Sequence, residues 1–310
     1  MRITQNSMNR TQLMGLDDSL GRLQKTQEQL TSGKRLNRPS DSPVDTVEAM
    51  RHRADQRALE QFGINISDGL SRLQATDDAL ARINPMLQRV RQQTVAALNG
   101  TNSEIQRKAY AEELKQLKSA VIQVANTQYG GRPIFAGTAY DPANNNAFEP
   151  TTGAFLGNSE KVLRTISDSP GEAGQMDIGA SGKDALSNLL ADDTTNPPGK
   201  GLLERLADEL GQPDGSYSQS NASALLTDLD QAMDQLQSVQ SVVGAKVNRL
   251  EKLQELNGLQ DDASRIALSK VEDVDFIKAA MDLNIQSNAY NAALQASAKI
   301  IQPSLMEFLR

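Results

Sequence analysis

Hydrophobic residues recur in steps of three and four along most of this chain, and the stretches that break the rhythm divide it. Leu13, Leu16, Leu20, Leu23 and Leu30 form one a/d seam, with Gln27 in the missing register position. Gly15 and Gly21 each lower intrinsic helicity by roughly 1 kcal/mol relative to Ala, so this helix needs a partner surface. A longer register runs through Leu59, Phe62, Ile66, Leu73, Leu80, Ile83, Leu87 and Val90, with Gly69 and Thr76 as weak positions. From Pro43 to Leu98 such a helix covers roughly 80 Å at about 1.5 Å per residue. A compact domain of this size is roughly 50 Å across, so the spacing predicts a rod. Pro85 predicts a kink or break within it. Tyr110, Leu114, Leu117, Val121 and Val124 mark a third helix that stops by Gly130-Gly131.

The first seam and the long register meet at Leu30–Asp45, LTSGKRLNRPSDSPVD. Gly33 can take the left-handed conformation that closes a helix. Ser42 suits the N-cap of the next helix, Pro43 its first position, and Asp45 the reciprocal part of a capping box. A phosphate-binding loop ending in Gly33-Lys34 would need Gly at position 28 and Ser or Thr at 35. Glu28 and Arg35 stand there, which excludes it.

Between residues 130 and 201 the helical period vanishes, and Gly, Pro, Asn, Asp and Thr dominate. Tyr129, Phe135, Tyr140, Phe148 and Phe155 cluster there. Large side chains are an economical way to fill a small β domain. Pro133–Phe135, Val162–Ile166 and Met176–Ile178 read as short strands between turns. Helix returns over Leu202–Leu210 and again from Ala222 to about Lys270, through Leu229, Met233, Leu236, Val243, Val247 and Leu250. A last arm from Val274 carries one stripe of Phe276, Leu283, Tyr290, Leu294, Ile301, Leu305 and Phe308. Beside it lies a second, of Ile277, Met281, Ala289, Ala292, Ala296 and Ile300.

The expected fold is mainly α, an elongated helical rod with an inserted small β domain and paired N- and C-terminal coiled-coil arms. Its parts are an N-terminal arm with the joint (1–43), two portions of the rod (44–129 and 202–271), the β insert (130–201) and a C-terminal arm (272–310). The first arm's leucines are expected to pair with Leu283, Tyr290, Leu294, Ile301 and Leu305, leaving the second stripe to neighbouring subunits.

Composition removes several function classes. The 310 residues carry a net charge of −7, which argues against a nucleic-acid partner held through phosphates. No Cys is present, so disulfides and thiolate chemistry are excluded. No apolar run approaches the roughly 18 residues of a membrane span, and the N-terminus lacks the apolar core of a secretory signal. No enzyme site is legible. The single histidine, His52, lies between Arg51 and Arg53 on a helix, and Asp77-Asp78, Glu112-Glu113 and Asp261-Asp262 read as solvated faces. No HExxH motif or EF-hand loop occurs, so no cofactor or metal is expected.

Leu30–Asn37 with Pro39-Ser40-Asp41-Ser42-Pro43 resembles the N-terminal signature of the flagellin family, with Ser42 where Asp or Asn is usual. Asn126-Thr127 and Gly130–Thr138 are similar to the segment that marks the family's hook-associated members, with Pro133 in place of Tyr. Ile301–Leu309 resembles the same branch. The resemblance implies a structural subunit of the bacterial flagellum, secreted by the flagellar type III apparatus with an export chaperone. It implies self-assembly into a ring at the hook–filament junction, between a neighbouring hook-associated protein and flagellin-side junction subunits. The filament subunit itself, or another secreted coiled-coil surface or needle-tip protein, is the alternative. On this reading Leu13, Leu16, Leu20, Leu23, Leu30, Phe276, Leu283, Tyr290, Leu294, Ile301, Leu305 and Phe308 serve the assembly interface, and Gly33, Ser42 and Pro43 the joint.

Overall fold

The computed structural model describes residues 5–99, 102–139, 145–192 and 199–301. The chain divides into two compact units, Met1–Ala58 with Gln260–Arg310 and Leu59–Leu259. Two long helices, α2 (Pro43–Ala97) and α6 (Gln219–Glu272), contribute residues to both.

The core of the second unit follows the hydrophobic register. Ile66, Leu73, Leu80, Ile83, Leu87 and Val90 of α2 are fully buried, together with Leu114 and Val121 of α3 (Glu104–Ala125) and Leu229, Leu236, Val243 and Leu250 of α6. Helix α3 opens on a capping box in which the Ser103 hydroxyl accepts from Gln106 N–H and the Gln106 side chain accepts from Ser103 N–H. Of the kink or break expected at Pro85, the break is absent, and α2 runs through it. Pro85 and Ala81, whose carbonyl the ring leaves without its helical donor, both lie on the exposed face. Water can satisfy that carbonyl, which removes the main cost of an internal proline.

Between α3 and α5 (Leu202–Gly211) lies the β-bearing insert. It holds three two-stranded antiparallel ladders: β1 (Gln128–Tyr129) with β2 (Arg132–Pro133), β3 (Leu163–Thr165) with β4 (Gln175–Asp177), and β5 (Ala191–Asp192) with β6 (Gly199–Lys200). A 3₁₀ turn at Gly171–Gly174, a π-helical turn at Lys183–Ser187 and the short α4 (Asn188–Leu190) complete it. Strands this short contribute little ladder energy, so side chains hold the insert. Ile134 and Phe135, expected within a strand, follow β2 as irregular chain and are fully buried. Phe148 and Phe155 pack at 5.3 Å between ring centroids. Gly69, read from sequence as a weak core position, admits Ile178: a Cβ there would come within 2.8 Å of its Cγ2.

In the first unit, α1 (Gln5–Ser32) and α7 (Phe276–Ile301) pack as an antiparallel pair. Gly33, at φ +71°, closes α1, and Pro43 opens α2. The Ser42 carbonyl accepts from Thr46 N–H and from its hydroxyl. Asp45 does not play the expected capping role. Its carboxylate pairs with Arg35 at 2.9 Å, because a guanidinium within reach outbids a neutral backbone donor.

Candidate assembly interface

The facing sides of α1 and α7 are built from side chains three and four residues apart. Leu16, Leu20, Leu23 and Leu30 are half-buried on α1, and Leu283 and Tyr290 on α7. Thr26, buried, shares its one hydroxyl proton between Gln286 Oε1 at 2.9 Å and the Arg22 carbonyl at 3.1 Å. Thr26 therefore occupies the position assigned from sequence to Gln27, which is exposed. On α7 the inward positions are Ala279, Leu283, Gln286, Tyr290, Ala293 and Ser297. That series steps by four and three, as a heptad seam does, and shares Leu283 and Tyr290 with the stripe read from sequence. It takes Ala279, Gln286 and Ala293 where that stripe took Ala280, Ser287 and Leu294, which leaves Leu294 outside the seam. Phe276, the first residue of the helix, is exposed. Small and uncharged polar residues carry much of the contact, and a search for large apolar residues passes over them.

Several of the expected interface residues therefore point away from the pair. Leu13 is 61% exposed, Phe276 58% and Leu294 41%. Ile277, Met281 and Ile285 form an exposed row at four-residue spacing on α7, and Met14 is exposed on α1. A groove of about 420 Å³ runs between the helices, lined by Leu13, Leu16, Leu20 and Tyr290 with Arg10 and Asp17. The side chain of Ile301 and all of Leu305 and Phe308 lie outside the described residues. Fully burying one large aliphatic side chain is worth roughly 1.5–3 kcal/mol, which this exposed row forgoes.

The joint anchors this pair by backbone and charge. Gly33 and Lys34 lie alongside Asp273 and Val274, with Arg35 N–H donating to the Glu272 carbonyl at 2.7 Å and Val274 N–H to the Gly33 carbonyl at 3.0 Å. The Glu272 carboxylate, only 2% exposed, receives Lys34 and, at 2.6 Å, Arg53. Burial alone would raise its pKa, but the hydrogen bonds from Lys34 and Arg53 outweigh burial and hold it below the ordinary value. Arg35 also donates to the Val271 carbonyl at 2.6 Å. Asp41 accepts from Arg38 N–H at 2.9 Å and Asn37 N–H at 3.2 Å and pairs with Lys25 at 2.9 Å, the last contact doing most to lower its pKa. Sequence reasoning found the turn and missed its lock. Glu272 reads as one more charge at the end of a helix, and only the fold brings Lys34 and Arg53 to it.

None of the acidic pairs gathers into a metal cradle. Asp77 accepts from Gln240, Glu113 from Arg89 and Gln93, and Asp261 pairs with Arg265. Among the described residues no group of three or more His, Asp or Glu side chains is placed to hold a metal. No described helix is long and apolar enough to cross a membrane.

Two family models, the bacterial flagellin N-terminal helical region and the bacterial flagellin C-terminal helical region, match residues 3–140 and 226–309. The flagellar hook-associated protein 3 of Salmonella typhimurium is 24% identical over 313 aligned residues, which cover 96% of this chain and 95% of that protein. A flagellin of Halalkalibacterium halodurans is 27% identical over 292, covering 94% and 91%. Among solved structures, the flagellar junction protein FlgL of Legionella pneumophila superposes with a TM-score of 0.54 at 17% identity, over 73% of this chain and all of that one. With both helical ends matched, the chain belongs to the flagellin family.

Proposed function

We propose that this chain is a structural subunit of the bacterial flagellum, working outside the cell at the junction between hook and filament. The observation that carries the reading is the α1–α7 pair with its outer apolar row of Phe276, Ile277, Met281 and Ile285 in water. A pair of helices that satisfies itself on one face and exposes large apolar residues on the other is suited to repeat against copies of itself. The near-complete coverage of the Salmonella hook-associated protein supports the assignment within the family. So does the Gly130–Thr138 segment. The chain would form a ring, with a hook-associated protein on one side and flagellin-side subunits on the other, after export with a chaperone. Leu13, Leu294 and the Ile277–Ile285 row would face neighbouring copies. Gly33, Ser42 and Pro43 would set where the arms leave the joint.

The likeness to a flagellin over nearly the whole chain favours a filament subunit as the second reading. Gene deletion followed by electron microscopy separates the two. The junction role expects intact hooks without filaments and flagellin shed into the medium, whereas a filament subunit would itself disappear and leave nothing shed. Met281→Asp and Leu294→Asp test the surface. Each is expected to abolish filament growth while leaving the circular dichroism spectrum and melting temperature unchanged, and normal motility with either variant overturns the surface assignment.

A further inference from the structure

The chain has no Cys, so the sulfur that a peroxide can oxidise in it is the methionine thioether. The two units hold their methionines differently. In the second unit Met176 is buried, and Met86 and Met233 pack partly buried against the core. In the first unit Met14, Met50 and Met281 are each more than half exposed. All three have apolar company. Met281 lies one turn from Ile277 and one turn from Ile285 in the exposed row of α7. Met50 follows the exposed Val44 and Val47 on α2, and Met14 lines the groove between α1 and α7.

Oxidation to the sulfoxide changes what such a face can pack against. The sulfur lone pair attacks one oxygen of hydrogen peroxide, and an S–O bond forms as the O–O bond breaks. Two electrons pass from sulfur to peroxide, and the departing hydroxide takes the proton of the transferred oxygen to leave as water. A flexible apolar side chain thereby becomes a polar one. On a free subunit water satisfies the new oxygen. A neighbour packed on the row would bury it beside Ile277 and Ile285, whose side chains offer no donor. We propose, on the assembly role given above, that Met281 is a peroxide-modification site, oxidised on the free subunit, and that its sulfoxide withdraws the α7 row from association. Met14 and Met50 are oxidised alongside it, while the shielded Met176 leaves the second unit folded. Reduction by two thiols, catalysed by a methionine sulfoxide reductase, restores the thioether and releases water and a disulfide.

Two measurements test this. Peptide mapping by mass spectrometry, after treatment of the full chain with hydrogen peroxide, should show sulfoxide forming at Met14, Met50 and Met281 at least tenfold faster than at Met176, with unchanged circular dichroism. In cells lacking the parent gene, Met281→Gln sets a polar oxygen near the place where the sulfoxide would carry one. It should give at least tenfold fewer filaments per cell than Met281→Leu. The proposal alone is overturned if Met281 oxidises no faster than Met176, or if Met281→Gln and Met281→Leu grow filaments alike while Met281→Asp stops growth. If Met281→Asp also grows filaments normally, the surface assignment itself falls and this proposal with it.

Discussion

The two units treat their apolar residues in opposite ways. Among the described residues, the fully buried hydrophobics lie almost entirely between Ile66 and Leu250, in the second unit, and the first contributes only Ala49 and Ala279. Backbone packing in the second unit is tight at chosen points: a Cβ on Gly137 would come within 2.3 Å of the Asn158 carbonyl oxygen. The second unit satisfies itself. The first holds seams of similar leucine content but closes them only halfway, relying on a charged joint and a helix pair whose outer face remains in water. On the proposed assembly role, stability and assembly fall to different residues, and substitutions should separate them.

The largest effect is expected in the closed core. Leu80→Ala removes a fully buried side chain and should cost about 3–4 kcal/mol through lost transfer energy and a residual cavity. Leu283→Ala, at a half-buried seam position, should cost about 1 kcal/mol. Denaturant unfolding of both variants checks the ratio, and equal losses would erase the contrast between the units.

Gly137→Ala should come next, at about 2–3 kcal/mol. Its φ of +67° disfavours any side chain, and the added methyl meets the Asn158 backbone. Chemical denaturation measures it. A neutral outcome would mean that the insert yields where its packing looks tight.

At the joint, Glu272→Gln keeps the shape and removes the charge between Lys34 and Arg53. Loss of about 1–2 kcal/mol, discounted because both partners are half-exposed, should speed tryptic cleavage after Lys34 and Arg35 roughly tenfold. Acid should mimic it. The pKa of Glu272 is held below its ordinary 4.5, so the unfolded joint binds more protons. Its contribution is fully present above about pH 4.5 and is lost as the pH falls through the lowered value; Asp41, held below 3.8, behaves alike. Amide protection factors at residues 33–42, taken relative to the intrinsic exchange rate at each pH, should therefore fall below about pH 4.5 while those of the α2 core hold. A uniform fall would place the acid-labile element elsewhere.

How much of this was legible in the sequence follows from where each interaction is local. The α2 core from Ile66 to Val90 was readable because burial repeats with the helix itself, and the turn at Gly33 because backbone conformation is a property of one residue. Thr26, Gln286 and Ser297 were not, since a seam of small polar residues carries no hydrophobic signal. Arg72 and Glu272 were beyond reach for another reason. Each looks like surface charge on a long helix, and each is buried by a segment far away in sequence, residues 130–139 for Arg72 and the joint for Glu272. A break at Pro85 does not occur because a proline's cost depends in part on whether its freed carbonyl meets water, which the local sequence does not state.

The smallest effect probes the open unit from the opposite direction. Gly21→Ala adds a methyl with no neighbour within 4 Å, so it creates no clash and should raise α1 helicity by up to about 1 kcal/mol. In a unit whose helices are marginal alone, that gain should slow amide exchange across Leu16–Leu30 by roughly threefold to fivefold and leave the core of the second unit unaffected. Faster ring assembly is the expected companion if an ordered α1 is what a neighbouring copy recognises. Slower assembly with a more ordered arm would instead show that the glycine is retained for the freedom it gives α1 before the arms meet.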